Sequence, residues 1–189
     1  MQIKLILTDL DGTLVDTREA NFLAYREVLE EVGYLLTRKK YNDIFGLRFE
    51  EFMTSLGIPD GEIRKRVKEL KAEAYPNYFN HLNLNKSLFE FIEAFHASGG
   101  KTGLISTAQR NNIESVLRYL EIRDTFDIIV SGDEVTAAKP RPDAYLYAME
   151  QMKCEPAATL IFEDSDRGIE AASQSGANHI RINDAFLFH

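Results

Sequence analysis

A chain of 189 residues with 44% hydrophobic and 28% charged residues can bury a sizeable core, as one domain or one domain with a smaller insert. Its net charge of -8 argues against general nucleic-acid or acidic-membrane binding, and its single cysteine, Cys154, excludes an internal disulfide and a cysteine-based zinc site. The four histidines, His81, His96, His179 and His189, match no metal-ligand spacing, and the N-terminal apolar run is cut by Asp9 too early for a signal peptide or a membrane span, so a cytoplasmic protein is expected.

The first predicted element is a buried strand through Ile3, Leu5, Ile6 and Leu7 that runs into Thr8-Asp9-Leu10-Asp11-Gly12-Thr13. Asp9 and Asp11 alternate with Leu10, so extended geometry turns both carboxylates to one face. Gly12 permits a turn that a larger residue would resist, although an ordinary Asp-rich turn would read the same in isolation. Asp16-Thr17-Arg18-Glu19 has capping-box spacing with Asp16 as the cap, and the helix that follows carries Ala20, Leu23, Ala24, Val28 and Val32 until Gly33 stops it. Two short helices are predicted near 39–44 and over 49–56. After the break at 57–60 comes a longer helix with Ile63, Val67, Leu70 and Ala74 on one face. Its Arg64, Lys65, Arg66, Lys68 and Lys71 are interleaved with Asp60, Glu62, Glu69 and Glu73, which predicts a solvated, salt-paired face and not a basic binding patch.

From Asn85 the character changes. Asn85 caps a helix bearing Leu88, Phe91, Ile92 and Phe95 that ends at Ser98-Gly99-Gly100. Strand-like runs at 102–106, 128–131, 159–163 and 179–182 then alternate with helices near 111–120, 143–152 and 167–175. Such alternation predicts an α/β fold, a doubly wound parallel sheet whose ligands collect at the carboxyl ends of its strands. The all-helical stretch 16–82 interrupts this pattern after the first strand. The expected division is a core of 1–15 and 83–189 with an inserted helical cap of 16–82, the chain crossing near 14–17 and 81–85. The apolar tail 184–189 is expected to cover the sheet edge or to form a partner surface.

Polar residues suited to one reaction close four strand ends or follow them: Asp9 and Asp11, Ser106 and Thr107, Glu163 and Asp164, and Lys139 in the loop Ala137-Ala138-Lys139-Pro140-Arg141-Pro142. Acids converging in one cleft repel unless a cation sits among them, and an oxygen-only set selects a hard ion such as Mg²⁺. Such an ion also screens a carboxylate from an incoming phosphate, while the serine hydroxyl, backbone N–H groups and the lysine hold phosphoryl oxygens. Phosphoryl transfer asks mostly for positioning and charge neutralisation, and this set offers both. Taken singly, Ser106 reads as a turn residue, Lys139 as a surface lysine, and Glu163-Asp164-Ser165-Asp166 as a helix cap. Their order along the chain is what favours the joint reading.

On these residues the sequence resembles the haloacid dehalogenase superfamily of phosphohydrolases, over nearly its whole length. Asp9-Leu10-Asp11-Gly12-Thr13 is similar to the first motif, which implies Asp9 as a nucleophile forming an aspartyl-phosphate and Asp11 as acid to the leaving oxygen and then base to water. Ser106 matches the second motif, Lys139 the third, and Glu163-Asp164-Ser165-Asp166-Arg167-Gly168-Ile169 the fourth. The resemblance implies Mg²⁺ held by Asp9, the backbone carbonyl of Asp11 and Asp164, with Glu163 close by. The helical insert looks like the small cap of the β-phosphoglucomutase-like branch. Because Asp11 is present, carbon–halogen and phosphonate cleavage are disfavoured, since both branches lack that aspartate.

Arg48, after Gly46-Leu47, is a candidate substrate contact from the cap, and Thr13, Thr107 and Arg110 are candidates beside the motifs. The expected partner is a small phosphorylated metabolite, with no nucleic acid and no membrane, in a monomer or weak homodimer. The expected activity is hydrolysis, with a sugar-phosphate mutase second and a non-catalytic phospho-ligand-binding protein third. A response-regulator receiver domain fits poorly, because its acidic pair ends the first strand and its phosphoacceptor sits on a later one. Gly99-Gly100-Lys101-Thr102 is not a P-loop, because Phe95 stands where the earlier glycine belongs and the run precedes a strand.

Overall fold

Leu5, Ile6 and Leu7 alternate between two covered faces, which is why the first strand is apolar at successive positions. In the computed structural model, which describes residues 2–183 and Phe186, the chain forms β1 (Leu5–Asp9), β2 (Val15–Asp16), α1 (Arg18–Glu31), α2 (Arg38–Ile44), α3 (Phe49–Ser55), α4 (Glu62–Ala74), a 3-10 segment (Tyr75–His81) and β3 (Asn83–Leu84). It continues with α5 (Lys86–Ala97), β4 (Lys101–Ile105), α6 (Arg110–Tyr119), β5 (Ile128–Val130), α7 (Asp143–Gln151), β6 (Thr159–Glu163), α8 (Asp166–Gln174) and β7 (Asn178–Arg181). β1 is the central strand of a five-stranded parallel sheet of order β5-β4-β1-β6-β7. Its register sets Asp9 opposite Ile105, so the strand ends carrying Asp9, Ser106 and Glu163 emerge at one edge.

The two faces are packed by different helices. Ile6 and Leu104 meet Leu88 and Ile92 of α5 and Ile113, Val116 and Leu117 of α6, whereas Leu5, Leu7 and Ile161 meet Tyr145, Ala148 and Met149 of α7 and Ala171 and Ala172 of α8. This is the doubly wound arrangement. Of the described helices none is long and apolar enough to cross a membrane.

Helices α1–α4 interrupt the sheet between β2 and β3, which pair antiparallel through Val15–Leu84 and Asp16–Asn83. The outgoing and returning chains are stitched again where the Asn85 amide donates to the Leu14 carbonyl (2.8 Å) and its side chain to the Thr13 carbonyl (3.2 Å). The insert has an apolar cluster of its own, including Phe22, Leu29, Tyr41, Phe52, Met53 and Val67. α1 serves both sides, since Ala20 and Ala24 pack with the sheet-side cluster while Phe22, Val28 and Leu29 pack into the insert.

The predicted elements lie within a residue or two of their observed spans, β2, β3 and the 3-10 segment were not predicted, and the informative departures have local causes. Thr17, not Asp16, is the N-cap residue of α1; its hydroxyl makes no cap bond and donates to the Asp11 carboxylate. Asp16 takes the Arg18 amide (3.0 Å), and Glu19 pairs with Arg38 (2.6 Å), so the predicted capping box does not form. Phe91 is half exposed, with one ring edge against Phe162. On α4, Arg64 pairs with Glu50 and Arg66 with Glu31 as a salt-paired face requires, but Lys71 is buried. The apolar tail lies outside the described residues except for Phe186.

Candidate active site

The turn after β1 is wound tightly: the Gly12 amide donates to the Val15 carbonyl (2.9 Å), and the Leu14 and Val15 amides both donate to the Leu10 carbonyl. Gly12 has φ +97°, and a Cβ there would lie 2.5 Å from Asp164 Oδ2, so glycine is needed both for the backbone and for the approach of Asp164. Behind this turn Asp9 is buried, and Lys139 Nζ donates to its Oδ1 at 2.5 Å. Asp11 stands farther out, its two oxygens taking the Thr17 hydroxyl and the Ser106 hydroxyl (2.9 Å).

Lys139, only 7% exposed, is held between two carboxylates, since Nζ also donates to Glu163 Oε1. Glu163 is fully buried and its oxygens are used: Tyr145 OH reaches Oε1 (3.2 Å), and the Ser165 amide and hydroxyl reach Oε2 (3.0 and 3.1 Å). Gly168 is part of this packing, because a Cβ there would overlap the Glu163 carboxylate. Arg167 Nε donates to the Lys139 carbonyl (2.8 Å), fixing the backbone that presents the lysine. Arg167 and Gly168 stood in the sequence only as part of the stretch matched to the fourth motif, and Tyr145 carried no signal of its own. Tyr145 is an aromatic on a buried helix stripe, and only the fold brings its hydroxyl to Glu163.

The charges are unequal, with Asp9, Asp11, Glu163 and Asp164 facing one lysine. Burial raises Asp9 well above the usual carboxylate range, and Glu163, Asp164 and Asp11 push the same way against the pull of Lys139. Burial also raises Asp164, partly offset by the Thr13 hydroxyl at 2.8 Å from Oδ1. Glu163 moves down despite its burial, because Lys139 and the Ser165 bonds favour the charged form. Burial alone would lower Lys139, but Asp9 and Glu163 hold it well above its ordinary value. Carboxylate oxygens of Asp9, Glu163 and Asp164 lie within 4.8 Å of one another, a hard-oxygen set that suits a small divalent cation. Asp9 and Asp164 are the better placed, because both oxygens of Glu163 are already bonded within the protein.

The other candidate side chains are all bonded within the protein. Thr13 is fully buried and serves Asp164, so its hydroxyl has no free path to a ligand. Ser106 bridges the Asp11 carboxylate and the Ala108 amide (3.0 Å). Thr107 lines the cleft described below, but its hydroxyl donates to the Gly46 carbonyl of the insert (3.1 Å). Arg48 reaches from the insert to the carbonyls of Thr136 (3.1 Å) and Ala137 (2.9 Å), at the base of the Lys139 loop. Arg110 is turned away from the cleft and is spent on Glu134 (2.5 Å), Glu114 (3.6 Å) and the Ile129 carbonyl, so its guanidinium ties α6 to the turn after β5.

Between the insert and the sheet lies a cleft. Leu10, Asp11, Thr107, Gln109 and Val116 line it from the sheet side, and Asn21, Tyr25, Tyr41, Phe52, Lys71 and Tyr75 from the insert. Lys71 was missed as a lining residue, although a signal existed. It lies four residues after Val67 and three before Ala74, on the buried stripe of α4.

Arg48 now has a definite expected role. Arg48→Ala removes two charge-assisted bonds across the seam, so kcat/KM should fall about tenfold, equal to 1.4 kcal/mol, alike for every substrate tested. Steady-state kinetics on a substrate panel checks this, and an effect confined to some substrates would return Arg48 to direct recognition.

Residues 6–182 match the haloacid dehalogenase-like hydrolase family. The chain is similar to the phosphorylated carbohydrates phosphatase of Thermotoga maritima, 35% identical over 182 residues covering 93% of this chain and 82% of that protein. It is also similar to the β-phosphoglucomutase of Bacillus subtilis, 28% identical over 92% of this chain and 80% of the other. Among solved structures, CbbY of Rhodobacter sphaeroides in complex with phosphate superposes with a TM-score of 0.87 at 25% identity, covering 95% of this chain and 86% of that one. The chain belongs to the haloacid dehalogenase-like hydrolases, as an enzyme of the phosphatase type.

Proposed function

We propose that the protein is a Mg²⁺-dependent phosphomonoester hydrolase acting on a small phosphorylated metabolite, of the phosphorylated-carbohydrate class, through an aspartyl-phosphate on Asp9. The observation that carries this reading is the buried Asp9 carboxylate, held by Lys139 at the carboxyl end of the central strand, with Asp11 two residues on. A carboxylate needs no base to attack phosphorus. An Asp9 oxygen forms the new P–O bond, the ester P–O bond breaks, and the leaving oxygen takes a proton from Asp11. Asp11 then accepts a proton from water, whose oxygen attacks phosphorus and returns Asp9 as a carboxylate.

In this reading the Ser106 hydroxyl, which donates to Asp11 in the unliganded site, turns to steady a phosphoryl oxygen, and Lys139 keeps positive charge beside Asp9 throughout. Asp9, the Asp11 carbonyl and Asp164 would hold Mg²⁺, which when bound neutralises charge between the carboxylates and the phosphate. In this reading residues 16–82 are a cap domain over a core of 1–15 and 83–189, and the protein works in the cytoplasm.

The test is phosphate release from sugar phosphates, nucleotides and an aryl phosphate, with Mg²⁺ and with chelator. Release that stops with chelator is expected, sugar phosphates ranking high. A sugar-phosphate mutase is the second reading, favoured by the seam that Arg48 and Thr107 close over the cleft, which would exclude water. Isomerisation of a sugar phosphate without phosphate release would select it.

A further inference from the structure

The steps above give no task to Lys71, the single basic side chain among the described residues lining the cleft. Lys71 is 2% exposed; its Nζ donates to Asn21 Oδ1 (2.8 Å) and lies 3.1 Å from the centre of the Tyr75 ring and 5.2 Å from that of Tyr25. Among the described residues no carboxylate pairs with it. Burial pushes its pKa well below the ordinary lysine value, and Asp11 only partly opposes this. An ammonium buried with one neutral hydrogen bond is costly, and aromatic faces offset the cost only in part. Two of its three N–H groups remain to be used.

The same cleft holds two polar atoms that are buried without a partner among the described residues, Tyr41 OH and Gln109 Nε2, and Tyr41 itself is 1% exposed. The nearby carboxylate does not satisfy them: the side-chain hydrogen bonds Asp11 accepts come from Thr17 and Ser106. The lining therefore has donors in surplus. A neutral hydroxyl would bring a donor for every acceptor and leave the charge of Lys71 unmatched, whereas an anionic oxygen group supplies acceptors and charge together. A lysine with only a structural task would leave Tyr41 and Gln109 unexplained.

We propose that Lys71, Tyr41 and Gln109 form a subsite for a carboxylate or second phosphate on the alcohol part of the substrate, so that the preferred substrates are phosphomonoesters bearing another anionic group. The proposal rests on the reading of Asp9 as the phosphoryl site, since the cleft extends from Asp11 towards Lys71.

The test measures binding apart from turnover, by titration calorimetry on the Asp9→Asn protein with Mg²⁺. The probes are two matched pairs: 2-phosphoglycolate against ethylene glycol monophosphate for the carboxylate, and glucose 1,6-bisphosphate against glucose 1-phosphate for the second phosphate. In one pair or both, the charged member should bind about tenfold tighter, and added Lys71→Met should bring that pair within about twofold. Which pair responds names the anion. Tyr41→Phe removes only an unpartnered oxygen, and Gln109→Glu sets a negative charge in the subsite; each should narrow the gap about threefold or more and decides the matter if Lys71→Met does not fold. Equal binding within both pairs, or a preference that survives all three changes, overturns the subsite. If the wild-type protein releases phosphate while that result holds, only the subsite fails. If it releases none from the four esters or from the wider panel of sugar phosphates, nucleotides and aryl phosphate, the phosphatase reading fails and takes the subsite with it.

Discussion

Asp9→Asn should lower phosphate release by about 10⁴-fold or more, the scale on which removing a covalent nucleophile acts. The amide has nearly the shape of the carboxylate but no negative oxygen with which to attack phosphorus. It also removes one of four acids from a site with one lysine, so the fold has no reason to suffer. The melting midpoint should move by no more than about 4 °C, roughly 1 kcal/mol for a chain of this size. The paired control is Asp11→Asn, which should slow release about 10²- to 10⁴-fold while phosphate still labels Asp9, since proton transfer and nucleophilic attack are separate tasks. Phosphate release, trapped label and thermal melts together check both; turnover retained in Asp9→Asn would remove it as nucleophile.

Lys139→Met should damage stability and activity together. Lys139 is the cation between Asp9 and Glu163, and all three are buried. Removing one partner of a buried ionic cluster leaves charge without compensation, and the expected cost is about 3–5 kcal/mol. Methionine fills the volume, so a loss of this size would report charge and not a cavity. Denaturant unfolding in chelator measures it. Added Mg²⁺ should restore part of the stability, because a cation at Asp9 and Asp164 relieves the same excess of acids. A midpoint unchanged from wild type would show that Glu163 or Asp9 is protonated in the folded protein and that Lys139 is not needed to hold it. Activity should stay low with Mg²⁺ present, since the ion does not replace the lysine beside Asp9.

The two largest effects thus fall on residues found by different means. Asp9 was legible from its own strand, because an apolar run ending in alternating acids and a glycine leaves few readings. Lys139 was legible only through company, as one lysine in a proline-rich loop that became significant beside the other strand ends. Arg48 and Arg110 show the limit. Both are exposed-type residues at loop ends, and nothing local tells whether a guanidinium will meet a ligand, a carbonyl or an acid. Arg48 found the carbonyls of the Lys139 loop, and Arg110 found Glu134.

The sequence by itself determined the alternation of strands and helices, the run of helices that follows the first strand, the turn at Gly12 and the acids at the strand ends. Each follows from spacing within about twenty residues, where backbone periodicity, caps and turn chemistry act. Only the tertiary structure decided the pairings that span the chain. Among these are Thr17 turned from its helix cap to Asp11, Tyr145 closing on Glu163, and Lys71 folded inward from a helix that reads as solvated. The physical reason is that a buried polar group takes whichever partner packing brings within reach, and its partner's distance along the chain has no part in that choice.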